Sequence, residues 1–556
     1  MTVEAMPISA PPTIDTTNLL TILGLVAAAW AVISPNAKLS FRLCMTRFDW
    51  LIFTVIVGTI HVLVFEDVLR ALGAYPDLGP WRWGLDKNGA IYLLFLTLTA
   101  FVFVRSRTFR LSDRKLPLFE QLTTSLLHSR KFAELGELLT QHLDELVATS
   151  QVAHYRSKLA RWVAPSSESQ LEVLALQRAN GPGKGSEPIE STAHRWRMRL
   201  AQAISNEQGA DASKRAILKK LLSSHDLVTY LALAHPYLCL PAMKRLTAIV
   251  EDFQDVYFQA LLAHTSSVFF TEIRNSRNLR EGSRLYLPPE SRLLNFYCKD
   301  VGIAADLGVY SSVGEAILMR LESDDGLAHN LNKPLLRYQE NGRSSCPIYS
   351  GIYFFRIMVL EGLYQRVPDH LWLHYVTHVV DRILSKMRPV EADDANHEFA
   401  TPFSYLLYCV VAVTCDWIED ALRVADEGLA HSPDLKAGHH AYISFQATEA
   451  LGGVMRSVLS SDKLSERLQV ELLQCILFML RRLTRKAHLA PLARSVAAHL
   501  MNPYGLGLNT NHIDTLDRIY ARQDYSLRDE TQVFASTLAA AKDALARGAR
   551  FVVHQE

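Results

Sequence analysis

The densest group of side chains that could do chemistry lies in the stretch EADDANHEF at 391–399. Carboxylates and an imidazole this close together could bind a divalent cation or transfer protons as acid and base. Acidic residues are also typical of the N-terminal flank of a helix, where they interact favourably with its dipole. Because the sequence has neither an HExxH motif nor a second group of ligands, we favour the helix flank and predict no metal site. The side chains concerned are Glu391, Asp393, Asp394, His397 and Glu398.

A glycine-rich stretch, GPGKGS at 181–186, raises the question of nucleotide binding. A phosphate-binding loop needs a glycine, four residues, and then Gly-Lys followed by Ser or Thr. Lys184 is followed by Gly185 instead, so the stretch is interpreted as a flexible loop. The seven cysteines include no CxxC pair, which favours reduced core cysteines over a disulfide framework or a zinc site. We therefore predict neither an enzyme nor a cofactor.

Two local groups of basic residues raise the question of whether the chain binds nucleic acid. The whole chain carries 58 basic and 57 acidic residues, of which the first 115 residues hold 11 and 8, so the rest has a net charge of −2. A nucleic-acid-binding domain usually shows a basic excess. Solvated helix faces, or faces turned towards anionic lipid, are the better interpretation, and nucleic acid is not an expected partner. The two groups are Arg274, Arg277, Arg280, Arg284 and Arg292, and Arg481, Arg482, Arg485, Lys486 and Arg494.

Three strongly apolar runs without a charged residue lie within the first 105 residues, at Leu19–Ile33, Leu51–Phe65 and Ile91–Val104. A membrane-spanning helix needs about 20 residues, and the polar but uncharged flanks extend the runs towards that length. Buried core helices are the alternative, but the runs cluster at one end of the chain and lack a polar face. A cleaved signal peptide is disfavoured because the N-terminal segment contains acidic residues and no Lys or Arg. The transmembrane helices are predicted over about 17–34, 50–70 and 88–105.

The charges between the runs predict the orientation, because Lys and Arg collect in short segments on the cytoplasmic side of a membrane. Residues 1–17 have no basic residue, 34–50 have three against one acidic residue, and 66–90 have an acidic excess. Five cations follow the third run at once. This pattern predicts a bacterial inner-membrane protein with its N-terminus outside, three crossings and a cytoplasmic C-terminal region. The five cations are predicted to contact the membrane surface; they are Arg105, Arg107, Arg110, Arg114 and Lys115.

His61 is the one titratable side chain within an apolar run. Ionisable groups inside a membrane are functional candidates by default. No second His, Asp or Glu lies within the runs to complete a proton relay, so we favour a polar packing contact between helices over a proton-linked role.

Apolar residues recur at helical spacing through almost all of the remaining chain, and strand signals are sparse. We therefore predict an all-α protein. Three domains are expected: a membrane domain at 1–115, a helical linker region at 116–190 that ends in a Gly/Pro/Ser-rich loop, and an α-helical array at 191–556. The array should resemble a solenoid of irregular helical hairpins, interrupted by a long irregular connection at 323–349 that is a candidate contact surface.

Two functions from different classes fit these features. The favoured one is a membrane-anchored cytoplasmic scaffold or sensor that binds protein partners, because helical arrays supply broad binding surfaces without catalytic residues. The alternative is a membrane-perturbing effector, of a bacterial defence or toxin type, whose transmembrane helices oligomerise under control of the helical domain. The expected partners are the lipid bilayer and other proteins, and homo-oligomerisation stays open.

Overall fold

The computed structural model is almost entirely helical, which confirms the all-α prediction: its described residues form 23 α-helices. Their β-structure is limited to one short antiparallel pair, Arg280–Glu281 with Arg284–Leu285. The chain divides into two compact units, Met1–Leu221 (unit 1) and Leu222–Glu556 (unit 2). The residues that the structure describes are 39, 43–74, 87–107, 111, 115–147, 207–276, 280–281, 284–335, 338, 342–367, 371–389, 398–425, 442–548 and 551.

Unit 1 contains six described helices, of which α1 packs against α3 and α4 packs against α5. A capping box fixes the start of α1. The Thr46 hydroxyl accepts a hydrogen bond from the Asp49 N–H at 3.2 Å, and the Asp49 carboxylate accepts one from the Thr46 N–H at 2.7 Å. The helices are α1 (Arg47–Val64), α2 (Glu66–Ala71), α3 (Lys87–Arg107), α4 (Leu116–His128), α5 (Phe132–Val147) and α6 (Glu207–Leu222).

By length and composition, one helix among the described residues could cross a membrane, where the sequence predicted three. That helix is α1, with a mean hydropathy of 1.6 and only 11% of its residues buried. The apolar part of α3, Gly89–Arg105, is a shorter apolar helix. The first predicted span, at 17–34, lies outside the described residues.

Unit 2 contains 17 described helices. They are α7 (His225–Ala234), α8 (Met243–Ile249), α9 (Phe253–Ala263), α10 (Val268–Ser276), α11 (Arg292–Cys298), α12 (Val301–Asp306), α13 (Val309–Ser323), α14 (Asp325–Leu331), α15 (Pro347–Tyr364), α16 (Trp372–Lys386), α17 (Pro402–Ala425), α18 (Tyr442–Leu459), α19 (Glu466–Thr484), α20 (Ala490–Met501), α21 (Thr510–Ala521), α22 (Tyr525–Glu530) and α23 (Gln532–Arg547).

These helices pack in two rows. The first row runs through α7, α9, α13, α16, α18, α20 and α23, each in contact with the next. The second row runs through α15, α17, α19 and α21 in the same way, and the rows contact each other, most extensively between α17 and α18. The apolar faces of both rows are therefore buried together, as expected for amphipathic helices. Tightly packed aromatic rings fill the core near its N-terminal end, including Phe258, Phe269, Tyr297, Phe354 and Trp372.

Two stretches of unit 2 differ from what their sequence pattern suggests. Helical spacing continues through 350–387, but this range holds two helices, α15 and α16, because Arg366 adopts a left-handed conformation at φ 60°. The sequence also has Pro368 there, which lacks the N–H that a helix interior needs. The connection at 323–349 is less irregular than predicted, because it contains α14, whose first turn is capped by the Asp324 carboxylate at 2.8 Å from the Leu327 N–H.

Two adjacent glycines of α18 lie in very different surroundings. A Cβ atom on Gly452 would overlap with the backbone carbonyl of His499 in α20, so this glycine sets how closely the two helices approach. A Cβ atom on Gly453 would meet the hydroxyl end of Tyr504, a side chain that is 44% exposed and can rotate towards solvent. The backbone of α20 has no such freedom.

We expect Gly452→Ala to destabilise unit 2 and Gly453→Ala to leave its stability nearly unchanged. Overpacking a rigid contact costs about 1–3 kcal/mol, whereas alanine in a helix gains about 0.5–1 kcal/mol over glycine. The measurement is the thermal unfolding midpoint of the full chain. Equal midpoints for the two variants would show that α18 and α20 are not held at this close distance.

Candidate membrane-proximal site

An ion pair joins the start of α1 to the end of α3. Arg105 Nε donates to the Asp49 carboxylate at 2.7 Å, across 56 residues of sequence. Asp49 is only 6% exposed, and the Arg105 side chain is 29% exposed. An acidic residue at the start of one helix and a basic residue at the end of another both lie where the helix dipoles favour them. The ion pair therefore places the N-terminus of α1 beside the C-terminus of α3.

Lys115 makes a second connection at the same place. Its Nζ donates to the backbone carbonyls of Leu43 at 2.5 Å and Met45 at 2.8 Å. Burial lowers the pKa of Lys115 and raises the pKa of the neighbouring Cys44 thiol. Because Lys115 is the N-cap residue of α4, this contact ties the start of α4 to the segment that precedes α1.

A third contact holds the chain between α3 and α4. The Leu111 N–H donates to the Glu145 carboxylate at 2.7 Å, and Glu145 lies on α5. The His142 imidazole, on the same helix, lies 3.4 Å from that carboxylate. We call these three contacts, made by Asp49, Arg105, Leu111, Lys115 and Glu145, the junction. It connects the α1–α3 pair to the α4–α5 pair through side chains rather than through the covalent chain alone.

The structure describes the side chains of two of the five cations that were predicted to contact the membrane surface. Arg105 and Lys115 both bind protein groups in the junction. Arg107 ends α3, but its side chain is not described, and Arg110 and Arg114 lie outside the described residues. Lipid contact by the five residues stays a prediction. Asp49 could not be identified as the partner of Arg105 from the sequence, because the two residues lie far apart along the chain.

The α1–α3 pair exposes an unusual amount of apolar surface. Of the 18 exposed large hydrophobic side chains in the described residues, 12 lie between Phe48 and Val104. We call this the hairpin surface. Its members are Phe48, Trp50, Leu51, Val55, Phe65, Leu72, Tyr92, Leu93, Phe95, Leu96, Phe103 and Val104.

Four threonines and one histidine of α1 and α3 lie among the residues of the hairpin surface, and their side chains are hydrogen-bonded within their own helices. His61 is exposed, and its Nδ1 lies 2.8 Å from the Val57 carbonyl of the same helix; the predicted contact between helices stays a prediction. The four threonine hydroxyls donate in the same way to the carbonyl four residues earlier, at 2.8–2.9 Å. They are Thr54, Thr59, Thr97 and Thr99.

Tertiary contacts neutralise much of the basic group in α19. Arg481 and Arg485 lie 3.6 and 3.4 Å from the Glu530 carboxylate, and Arg482 pairs with Glu419 of α17. These carboxylates come from residues more than 40 positions away. The group is therefore part of the contacts between helices.

Glu272 is a buried carboxylate that the sequence did not single out. It accepts hydrogen bonds from the Tyr237 hydroxyl at 2.9 Å and from the backbone N–H groups of Leu294 at 2.9 Å and Leu293 at 3.2 Å. Burial raises the pKa of Glu272, and burial together with this carboxylate raises the pKa of Tyr237 to about 12. With three donors around it, Glu272 joins α10 to the start of α11 and has a structural role.

The acidic stretch that could have bound a metal lies mostly outside the described residues, which exclude 390–397. Within the described residues, no group of three or more His, Cys, Asp or Glu side chains is placed to hold a metal ion.

Comparisons with protein-family models, curated proteins and solved structures find no match for this chain.

We expect Asp49→Asn and Arg105→Gln each to destabilise unit 1 by about 1–3 kcal/mol, the usual range for a partly buried hydrogen bond to a charged group. The double variant should cost clearly less than the sum of the two, because each substitution removes the same interaction. The measurement is thermal unfolding of the full chain in detergent.

The control is Lys131→Gln, which removes an exposed ion pair with Glu134 and should cost about 0.5 kcal/mol or less. Additive effects of Asp49→Asn and Arg105→Gln would contradict a direct interaction between the two side chains.

Proposed function

We propose that this chain is a membrane-anchored helical scaffold or sensor that binds protein partners at the inner face of a bacterial inner membrane. The hairpin surface is the observation that carries the membrane part of the proposal. A core helix of a soluble protein would bury its apolar residues, whereas the apolar window of α1 is only 11% buried.

The polar groups of the hairpin surface support a lipid environment. In hydrocarbon, every hydrogen-bonding group must find its partner inside the protein, because no water is available. The threonine hydroxyls and the His61 Nδ1 meet this demand through carbonyls of their own helices. The same kind of bond also occurs in unit 2, for example from the exposed Ser323 hydroxyl to the Met319 carbonyl at 2.7 Å, so these bonds permit a lipid environment without requiring one. The combination of exposed apolar side chains and internally bonded polar ones fits a lipid-facing surface.

The junction supports the proposed orientation. If α1 and α3 cross the bilayer in opposite directions, residues 43–49 and 105–115 must emerge on the same side. The Asp49–Arg105 ion pair and the Lys115 contacts bring these two segments together. Residues 34–50 carry three basic residues against one acidic, and residues 105–115 carry five against one, as expected for the cytoplasmic side. We propose that a further span within about 17–34 places the N-terminus outside.

The two rows of unit 2 provide the proposed binding surface. Ion pairs link neighbouring helices within and between the rows: Arg356–Asp416 at 2.8 Å joins α15 to α17 in the second row, and Lys542–Asp517 at 2.7 Å joins α23 of the first row to α21 of the second. Pairs of this kind contribute little stability when exposed, but they favour one register between neighbouring helices. A stacked helical array with a fixed register presents an extended surface for protein partners.

We expect Val55→Arg to reduce the fraction of the chain that resists alkaline extraction from membranes. Val55 is 59% exposed and lies near the middle of α1, where an arginine would cost about 2.5–3.5 kcal/mol in a bilayer. In water, the same substitution on an exposed site would be close to neutral. Leu506→Arg is the matched control, because Leu506 is 70% exposed in unit 2. Equal extraction of both variants would overturn a lipid-facing α1.

The proposed topology predicts that position 77 is outside the membrane and position 556 is in the cytoplasm. Fusions of a reporter that is active only outside should therefore be active at Asp77 and silent at Glu556, and a reporter that is active only in the cytoplasm should show the reverse. Activity of one reporter at both positions would exclude the three-span arrangement.

A further inference from the structure

One side of α1 carries small and polar residues among the apolar ones of the hairpin surface. Thr54, Gly58 and His61 are exposed and follow one another at spacings of four and three, so they lie on one face of the helix. A Cβ atom on Gly58 would meet no atom of the described residues within 4 Å. We call these three residues the polar face of α1.

His61 has one ring nitrogen that still needs a partner. Its Nδ1 lies 2.8 Å from the Val57 carbonyl, and because a carbonyl can only accept a hydrogen bond, Nδ1 carries the proton. The Nε2 atom of the neutral ring is then an acceptor, and no described residue donates to it. In hydrocarbon, such an atom needs a donor from another part of the protein, because water is absent.

The exposed side of α3 consists mainly of large apolar side chains. Lipid tails surround such side chains as favourably as another helix does, whereas helices in membranes associate through small residues and through hydrogen bonds between helices. Of the two helices, α1 therefore has the face on which a further helix would gain most. The large side chains of α3 are Tyr92, Leu93, Phe95, Leu96, Phe103 and Val104.

The first predicted span, about 17–34, lies outside the described residues, but the chain that follows it is fixed in place. The Lys115 contacts hold Leu43 and Met45 beside the start of α4, and α1 begins at Arg47. The eight residues 35–42 separate the span from Leu43 and reach about 30 Å at most. Because a helix is about 10 Å across, a span on this short connection crosses the bilayer close to the α1–α3 pair.

We propose that the first predicted span packs against the polar face of α1, antiparallel to it, and that the Thr21 hydroxyl donates to His61 Nε2. The inference rests on the proposed membrane anchor and names the partner of this part of the hairpin surface. The short connection favours the span over a second copy of the chain, because it keeps the span at an effective concentration on the order of millimolar.

The sequence of the span matches the polar face in this antiparallel register. If Ser34 and Arg47 are level at the cytoplasmic side, His61 lies 14 residues along α1 and is level with position 20 of the span, next to Thr21.

The same count places Gly58 level with position 23, next to Gly24, and Thr54 level with position 27, next to Ala28. Thr21, Gly24 and Ala28 follow one another at spacings of three and four, so in a helix they share one face. Two small faces that meet in this way allow close approach of the backbones.

The test is cysteine cross-linking in membranes of cells that express the full chain. One cysteine replaces Ala28, a second replaces Thr54, and a site for a sequence-specific protease is inserted within 35–42. The membranes are oxidised and solubilised, and the chain is then cleaved. We expect the Ala28→Cys/Thr54→Cys chain to run at full length on a non-reducing gel and to separate into two fragments after reduction.

Thr97→Cys is the matched control for Thr54→Cys. Both threonines are exposed, and their hydroxyls donate to the carbonyls of Leu93 and Trp50, each at 2.8 Å. The Ala28→Cys/Thr97→Cys chain should separate into two fragments without reduction. The single variant Ala28→Cys should do the same, which excludes cross-links to the native cysteines.

The hydrogen bond to His61 is tested in the same assay. Thr21→Val should reduce the cross-linked fraction of the Ala28→Cys/Thr54→Cys chain, whereas Thr21→Ser should retain it because serine keeps the hydroxyl. An equal fraction in both variants would exclude Thr21 as the donor.

Alkaline extraction of the same membranes separates failure of this inference from failure of the membrane anchor. In a chain that resists extraction, three results would overturn the proposed packing and leave the anchor intact: no cross-link, a cross-link to Thr97→Cys in place of Thr54→Cys, or a product of two whole chains. A chain that alkali extracts would overturn both.

Discussion

The arrangement of the described helices α1 to α5 in unit 1 depends on the interactions of the Asp49 carboxylate. A charge this deeply buried is costly unless hydrogen bonds and an opposite charge compensate it. Thr46 supplies a backbone donor and Arg105 supplies both a donor and the charge. Satisfying this one group fixes the start of α1, the end of α3 and their positions beside each other. Lys115 and Glu145 then extend the same connection to α4 and α5.

The two units differ in whether their helices bury or expose apolar side chains. In unit 2, the helices bury their apolar faces between two rows, and the close approach at Gly452 shows how tightly α18 and α20 pack. In unit 1, the α1–α3 pair leaves much of its apolar surface exposed and bonds its polar side chains internally. The first arrangement stabilises a fold in water, while the second needs an apolar surrounding to be stable. This contrast is what supports the proposed membrane anchor joined to a helical array.

Charges in unit 2 act mainly between helices. Arg481, Arg482 and Arg485 form a basic group in the sequence, but Glu419 and Glu530 meet them in the fold. The Arg482–Glu419 ion pair lies at the interface between α17 and α19 and so contributes to the register of the second row.

The sequence by itself determined the helical class and most of the helix faces. The spacing that predicted α5 and α19 is reproduced in their buried residues, such as Leu135 and Leu139 in α5 and Leu472 and Leu483 in α19. Helical periodicity is a local property, because residues three and four apart share a face whatever the tertiary structure is. The apolar pattern did not reveal the break near Arg366 or the short helix α14. A break depends on the conformation of a few residues, and a helix of two turns is too short to show a clear apolar period.

Only the tertiary structure decided which residues meet across helices. Arg105 was predicted to contact lipid, and the fold gives it Asp49, 56 residues away. Arg482 was predicted to lie on a solvated helix face, and the fold gives it Glu419 on another helix. The physical reason is the same in both cases. The period of a helix fixes the direction in which a side chain points, but its partner depends on which helix packs there and in what register, and that is set by the burial of whole faces rather than by neighbouring residues.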